Sequence, residues 1–369
     1  MNKTRKFPLF AVILLSVLLI MCVAIYFGLK YLWVVLDEYE NTMPEYVVDE
    51  VGQLFEDKNY DEIIRLSGLA AGKYDSQDDL KNYLEKLFDN GDIKWGKKAG
   101  SNNANCYVVA SGKTEIGQIF IKELEDKTDH GFTEFVFDRL TVPFEAKESV
   151  KITVPFKSKV YVNDIELGSD CITESNIKVS ALKNIESELS MPYYETYTVS
   201  GLIAPASKVR AVSSNGTELT LTHPDNAANV YSADFVGDDA LQSEIYPIVE
   251  DFAKRYSEYL TSDGSFRAAA KYIIYPSSLY THLRGMETYF YTNHDSYKFE
   301  NMNPYGFVKY TDELCSASIS FDHYLYRSGG TKQYHYKSDF TVFFVDTDDG
   351  WLIDSMQMNY TDNAAEQTE

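Results

Sequence analysis

The chain has 369 residues, 44% of them hydrophobic and 14% aromatic, which is enough apolar side chain for two or three folded domains and too much for disorder. Its formal charge is −22, and the acidic excess lies beyond Leu36: the first 36 residues hold four basic side chains (Lys3, Arg5, Lys6 and Lys30) and no acidic one, leaving 30 basic against 56 acidic residues in the remainder. A surface of that sign repels nucleic acid and anionic polymers or lipids, and it suits solvent, cations or basic partners.

Residues Phe7–Leu29 form an uncharged run of 23 residues, against about 20 needed to cross a hydrocarbon core. Lys3, Arg5 and Lys6 precede it and Asp37, Glu38 and Glu40 follow it, so charge bias places the N-terminus in the cytoplasm and the remainder outside. Tyr26, Tyr31 and Trp33 mark the outer interface, and Lys30 can snorkel there. A cleaved signal would need an apolar region of ~7–15 residues and a small-residue cleavage site. The run is longer, and Cys22-Val23-Ala24 is followed by bulky Ile25 and Tyr26. The expectation is a cytoplasmic tail at 1–6, an uncleaved anchor at 7–36, and a single-pass protein of the cell membrane whose work is done outside.

From 42 to 145 the pattern is α+β. Val47, Val48, Val51, Leu54 and Phe55 recur at helical spacing, as do Ile63, Ile64 and Leu66, and a third helix is predicted over Asp78–Phe88, ended by Asn90-Gly91. Strands are predicted at Asn105–Ala110, Glu115–Lys122 and Phe132–Val142. From 147 to 235 the chain reads as a small β-rich region of short runs, including Lys159–Val162, Tyr194–Ile203 and Glu218–Thr222, with Asn163-Asp164 and Asn215-Gly216 as turns. From 238 to 360 the helix-then-sheet pattern returns. A helix is predicted over Asp239–Leu260, further helices over Ser265–Tyr272 and Ser277–Phe290, and strands over Leu314–Tyr326, Tyr334–Val345 and Trp351–Met358, with Gly329-Gly330 as a turn. Residues 361–369 read as a polar tail. The fold class is therefore an α+β ectodomain behind one transmembrane helix, with helix-then-antiparallel-sheet modules flanking a small β region.

Catalytic and metal motifs fail on their details. Ser175–Lys178 and Ser180–Lys183 spell SxxK without the partner motifs that chemistry needs. Gly91–Lys98 approaches a P-loop but has Lys98 where the magnesium-binding hydroxyl belongs, and it follows a helix instead of a strand. Asp346, Asp348 and Asp349 before Gly350 have the wrong spacing for a calcium loop and read as a turn. The four cysteines contain no CxxC pair, so neither a zinc ribbon nor a redox motif is present, and free buried thiols are expected. No cofactor or metal is implied.

The last module, with its long helix from Asp239, its strands from Phe340 to Met358 and the Trp351-Leu352-Ile353 segment in the final hairpin, resembles the nuclear transport factor 2-like cone fold. The whole order of anchor, α+β module, small β region and cone module resembles the teicoplanin-resistance-associated membrane protein family of Gram-positive bacteria. Members of that family often begin with a cytoplasmic zinc ribbon, whereas six residues without cysteine precede the anchor here. The resemblance implies an envelope protein connected with cell-wall stress or glycopeptide response and supplies no catalytic residue.

The expected function is non-catalytic: the ectodomain binds a cell-wall component or a membrane partner. Two alternatives stand beside it, a small-molecule-binding or enzymatic cone, and a spacer or assembly factor for another membrane protein. The 29 tyrosines suggest where binding happens, because tyrosine joins an apolar ring to a polar tip. The candidate ligand-binding residues are Asp322, His323, Tyr324, Tyr326, His335 and Tyr336, on strands joined by one hairpin. A second tyrosine cluster lies around Tyr289–Tyr291.

Overall fold

A computed structural model describes residues 9–97, 105–224, 227–286, 293–327 and 332–359. The tails at 1–6 and 361–369, Lys98, the Gly329-Gly330 turn and the Tyr289–Tyr291 cluster lie outside the described residues. The architecture is mixed α+β, with one apolar N-terminal helix and several mainly antiparallel sheets. Residues group into two compact units: Met1–Glu148 with Gly201–Ala204, and Ser149–Ser200 with Pro205–Glu369.

In the first unit, α1 (Leu9–Asn41) is apolar on every side and its span-like stretch is uncovered by protein, with Phe10 and Trp33 three-quarters exposed. It is long and apolar enough to cross a bilayer. The helix runs on through Asp37–Asn41, beyond the expected end of the anchor at Leu36. Pro44 then opens α2 (Pro44–Glu56), a position where its missing N–H costs nothing. Asn59 caps α3 (Tyr60–Ser67), and Gly68 ends it in the left-handed conformation. Ser76 and Asp79 form a reciprocal capping box on α4 (Gln77–Phe88). These helices bury Val48, Phe55, Ile63, Leu84 and Phe88 against Val109, Ile116 and Ile119 of an antiparallel sheet, ordered β1 (Ile93–Lys97), β2 (Cys106–Ser111), β3 (Thr114–Lys127), β4 (Thr133–Thr141). Strand β1 occupies the near-P-loop segment. Trp95 lies so close over Gly52 that any side chain there would meet its ring, and its indole N–H donates to Asp49 at 2.6 Å.

The second unit begins with two small sheets. One contains β5 (Glu148–Pro155), β8 (Ile172–Lys178), β9 (Tyr193–Leu202) and β12 (Val230–Ser232). The other contains β6 (Lys159–Val162), β7 (Ile165–Glu166), β10 (Val209–Val212) and β11 (Glu218–Leu219). The chain then enters α5 (Asp239–Leu260), whose Asp238 cap accepts the N–H groups of Ala240 and Leu241. Short α6 (Phe266–Ala270) and α7 (Ser278–Arg284) precede a four-stranded meander of β13 (Ser296–Lys309), β14 (Leu314–Arg327), β15 (Lys332–Thr347) and β16 (Gly350–Met358). Edge strand β13 has no clear signature in the sequence, because Asn301, Pro304 and Gly306 spell turns. It tolerates them as an edge strand interrupted by two bulges, with Asn301 and Gly306 left-handed. The bulges bend the sheet around α5, so that Ile245, Val249, Phe252 and Tyr256 pack on Cys315, Ile319, Phe321, Phe340, Val342 and Ile353.

The β-rich stretch closes on the opposite face of the meander. Val179 and Leu182 bury Leu314, Phe343 and Val345. Beside them, Asp354 sits at the β16 bulge, 2% exposed, and accepts the Glu186 N–H at 3.0 Å, the Ser187 N–H at 3.0 Å and the Ser187 hydroxyl at 2.5 Å. Glu186 in turn accepts the Ser278 N–H at the start of α7. Hydrogen bonds to a charged, buried acceptor are the strong kind, and removing the acceptor strands its donors. Asp354→Ala is therefore expected to destabilise the protein by about 2–4 kcal/mol in denaturant unfolding of the micelle-held full chain. A loss below about 0.5 kcal/mol would contradict this role.

Candidate functional site

Strand pleat decides where the six candidate residues point. The β14–β15 register pairs Asp322 with Lys337, His323 with Tyr336 and Tyr324 with His335. Since successive side chains alternate between faces, Asp322, Tyr324, Tyr326 and His335 share the outer face of the sheet, while His323 and Tyr336 share the inner, α5-facing side. The structure thus brings four of the six together and separates the other two.

On the outer face Asp322 is held from two sides. His335 Nε2 lies 2.6 Å from one carboxylate oxygen, and the Asn301 amide donates to the other at 2.6 Å. Asn301 reaches it from the left-handed bulge position of β13. Burial works against ionisation of Asp322, but the hydrogen bonds from Asn301 and His335, aided by the nearby charges, hold its carboxyl below the usual range. The imidazole of His335 stacks on Tyr324 with centroids 4.4 Å apart and planes 11° apart, and Tyr324 stacks in turn on Tyr326 at 6.5 Å. Desolvation, with Asp322 and Glu300 nearby, raises the Tyr324 phenol. At neutral pH this face therefore presents an ionised carboxylate beside the neutral phenol of Tyr324. Tyr324 meets the imidazole of His335 with its ring face, so that contact is a stack.

The inner face is different. His323 is 3% exposed, stacked on Phe299 at 4.4 Å with Tyr297 edge-on, and its buried Nε2 has no hydrogen-bond partner among the described residues. Burial pushes its pKa down to about 4, so the ring is neutral. Phe299 meets Phe321, Phe321 meets Phe340, and Phe340 meets Phe252 and Tyr256, all edge-on. Aromatic rings fill this interior.

Two features were not legible in advance. Asn301 is 21 residues from Asp322 in sequence, and its role depends on the bulge. A cleft of about 650 Å³ in the second unit is walled by Phe156, Lys157, Phe235, Lys309, Tyr310 and Asp312. These come from the end of β13 and from separate loops, with no shared motif. Lys309 pairs with Asp312 at 2.9 Å and holds that carboxyl below its usual range, with Lys157 assisting, while burial raises the Tyr310 phenol. Among the described residues no cluster of three or more His, Cys, Asp or Glu side chains could hold a metal ion. None of the four cysteines is in a disulfide; Cys106, Cys171 and Cys315 are buried and Cys22 is exposed on α1.

No family model matches the chain, so the resemblance to the teicoplanin-resistance-associated family rests on architecture alone. No curated protein matches it either. Among solved structures, an NTF2-like protein involved in plasmid conjugation aligns over 84% of this chain and 100% of its own, at 9% identity and a TM-score of 0.24. That protein is a distant structural neighbour, too remote for any of its properties to bear on this chain.

The buried imidazole has a measurable consequence. An unfolded histidine titrates near 6.5, whereas His323 stays neutral down to about 4 when folded. Between those values the unfolded chain binds a proton that the native chain refuses, so stability falls as the pH is lowered through that window. The expected contribution is roughly 2–3 kcal/mol between pH 7 and pH 4. His323→Phe should flatten that part of the curve in denaturant unfolding across pH; an unchanged curve would contradict the assignment.

Proposed function

We propose that this is a single-pass, membrane-anchored, non-catalytic binding protein whose extracytoplasmic part engages a cell-wall component through the outer face of β14 and β15. The observation that carries the reading is the division between the two faces. Aromatic packing fills the inner face, where a cone fold would keep a reaction, and its imidazole is neutral, with Nε2 lacking a hydrogen-bond partner among the described residues. The outer face carries Tyr326, Tyr324 and His335 as a stacked ladder ending at ionised Asp322. Flat rings with polar tips take the apolar face of a sugar or the backbone of a peptide, and a carboxylate adds directional acceptance. Lys3, Arg5 and Lys6 before the apolar run support an anchor with its bulk outside.

A second reading, small-ligand binding, has the 650 Å³ cleft behind it, which is within the size range of ligand pockets.

The test compares full-length variants in detergent micelles for retention on purified Gram-positive sacculi. Tyr324→Ala combined with Tyr326→Ala is expected to weaken binding about tenfold or more, as loss of an aromatic anchor does. His323→Phe, on the inner face, should leave binding unchanged. Equal binding by wild type and the tyrosine pair would remove the outer face from the account, and saturable binding lost only on Tyr310→Ala would favour the cleft.

A further inference from the structure

The outer end of α1 does not hang free of the first unit. The turn joining β3 to β4 docks on it. His130 donates its N–H to Glu38 at 3.3 Å, and its imidazole pairs with the same carboxylate. The His130 ring meets Tyr31 edge-on at 5.7 Å, and Phe132 meets Tyr39 at 5.3 Å. The turn is closed by hydrogen bonds of its own. The Gly131 N–H donates to the Thr128 carbonyl at 2.8 Å, the Phe132 N–H donates to the Thr128 hydroxyl at 3.1 Å, and Gly131 is left-handed. The order of contacts sets the direction: Phe132 lies opposite Tyr39, and His130 lies opposite Tyr31, nearer the apolar run. The turn therefore points down the helix towards the span.

Helix rise gives the depth. The uncharged run ends at Leu29. At 1.5 Å per residue, Tyr31 lies about 3 Å beyond that edge and Glu38 about 13 Å beyond it. The polar layer on each side of a bilayer is about 5–7 Å thick. Helix side chains also lean towards the N-terminus, which here is towards the lipid. We propose that the tip of the Thr128–Phe132 turn, where the His130 ring meets Tyr31, reaches into the lipid headgroup layer while the rest of the turn is clamped just above it against Glu38 and Tyr39, so that the first unit stands directly on the membrane surface. The proposal rests on the reading of α1 as an anchor.

The chemistry of the turn also says what holds it there. The outer half of β3 carries Glu123, Glu125 and Asp126 against Lys122 and Lys127, and Asp129 is at the turn. This segment is acidic, so anionic lipid does not attract it. The clamp on α1 sets its depth, and the surface it fits is one of zwitterionic headgroups.

The experiment uses the full chain with Cys22→Ser, reconstituted into phosphatidylcholine–phosphatidylethanolamine vesicles containing a phospholipid with a nitroxide on its headgroup. A fluorophore is placed at Asp129→Cys or at Lys113→Cys; the latter lies in the turn at the far end of β3, about 40 Å away along the strand. Strong quenching at 129, background quenching at 113 and insensitivity to salt are expected. Glu38→Ala together with His130→Ala should lose the quenching at 129 while the protein still resists alkaline carbonate extraction. Background quenching at both positions in extraction-resistant protein would overturn the clamp and leave the anchor standing. Extraction by carbonate would overturn the anchor and the clamp together.

Discussion

The pleat of β14 and β15 is the constraint from which the second unit follows. Each strand has two faces, and α5 claims one of them along most of its length, burying Cys315, Ile319, Phe321, Phe340 and Val342. At the end nearest the β-rich stretch the other face is claimed as well, because Val179 and Leu182 cover Leu314, Phe343 and Val345. What remains for chemistry is the far half of the outer face, where Asp322, Tyr324, Tyr326 and His335 stand. A one-residue slip of β14 would send Asp322, Tyr324 and Tyr326 into the aromatic core and bring His323 and Phe321 out.

Two irregularities make that arrangement hold. The bulges of β13 curve the sheet around α5 and turn Asn301 towards Asp322. The bulge of β16 places Asp354 on the Glu186–Ser187 backbone. The same local device thus serves a polar surface in one place and a buried tie in another. In both places a carboxylate is satisfied by more than one donor, which is what keeps a partly or fully buried charge from costing stability.

Much of this was readable in the residues. The α5 helix is written in its apolar spacing, and β14 and β15 in alternation bounded by turns. Alternation also separates His323 from its neighbours Asp322 and Tyr324, although hairpin proximity alone groups all three. Two edge strands, β13 and β1, were the blind spots. Strand β13 hides behind Asn301, Pro304 and Gly306, and β1 behind a glycine-flanked Lys94-Trp95 segment, because an edge need satisfy only one neighbour and tolerates residues that a central strand does not. The cleft was illegible for another reason: its walls meet only after distant loops have been placed by the sheets. The Glu38–His130 contact likewise joins positions 92 residues apart with no pattern connecting them.

The account makes the outer face of β14 and β15 the working surface and the inner face its support. Hydroxyl-radical footprinting of the full chain, with and without soluble wall fragments, reads that division side chain by side chain. The account predicts that Tyr324, Tyr326 and His335 lose reactivity when fragments are present, while His323 stays unreactive throughout. Protection confined to Phe156 and Tyr310 in the cleft, with the outer-face tyrosines unchanged, would contradict it.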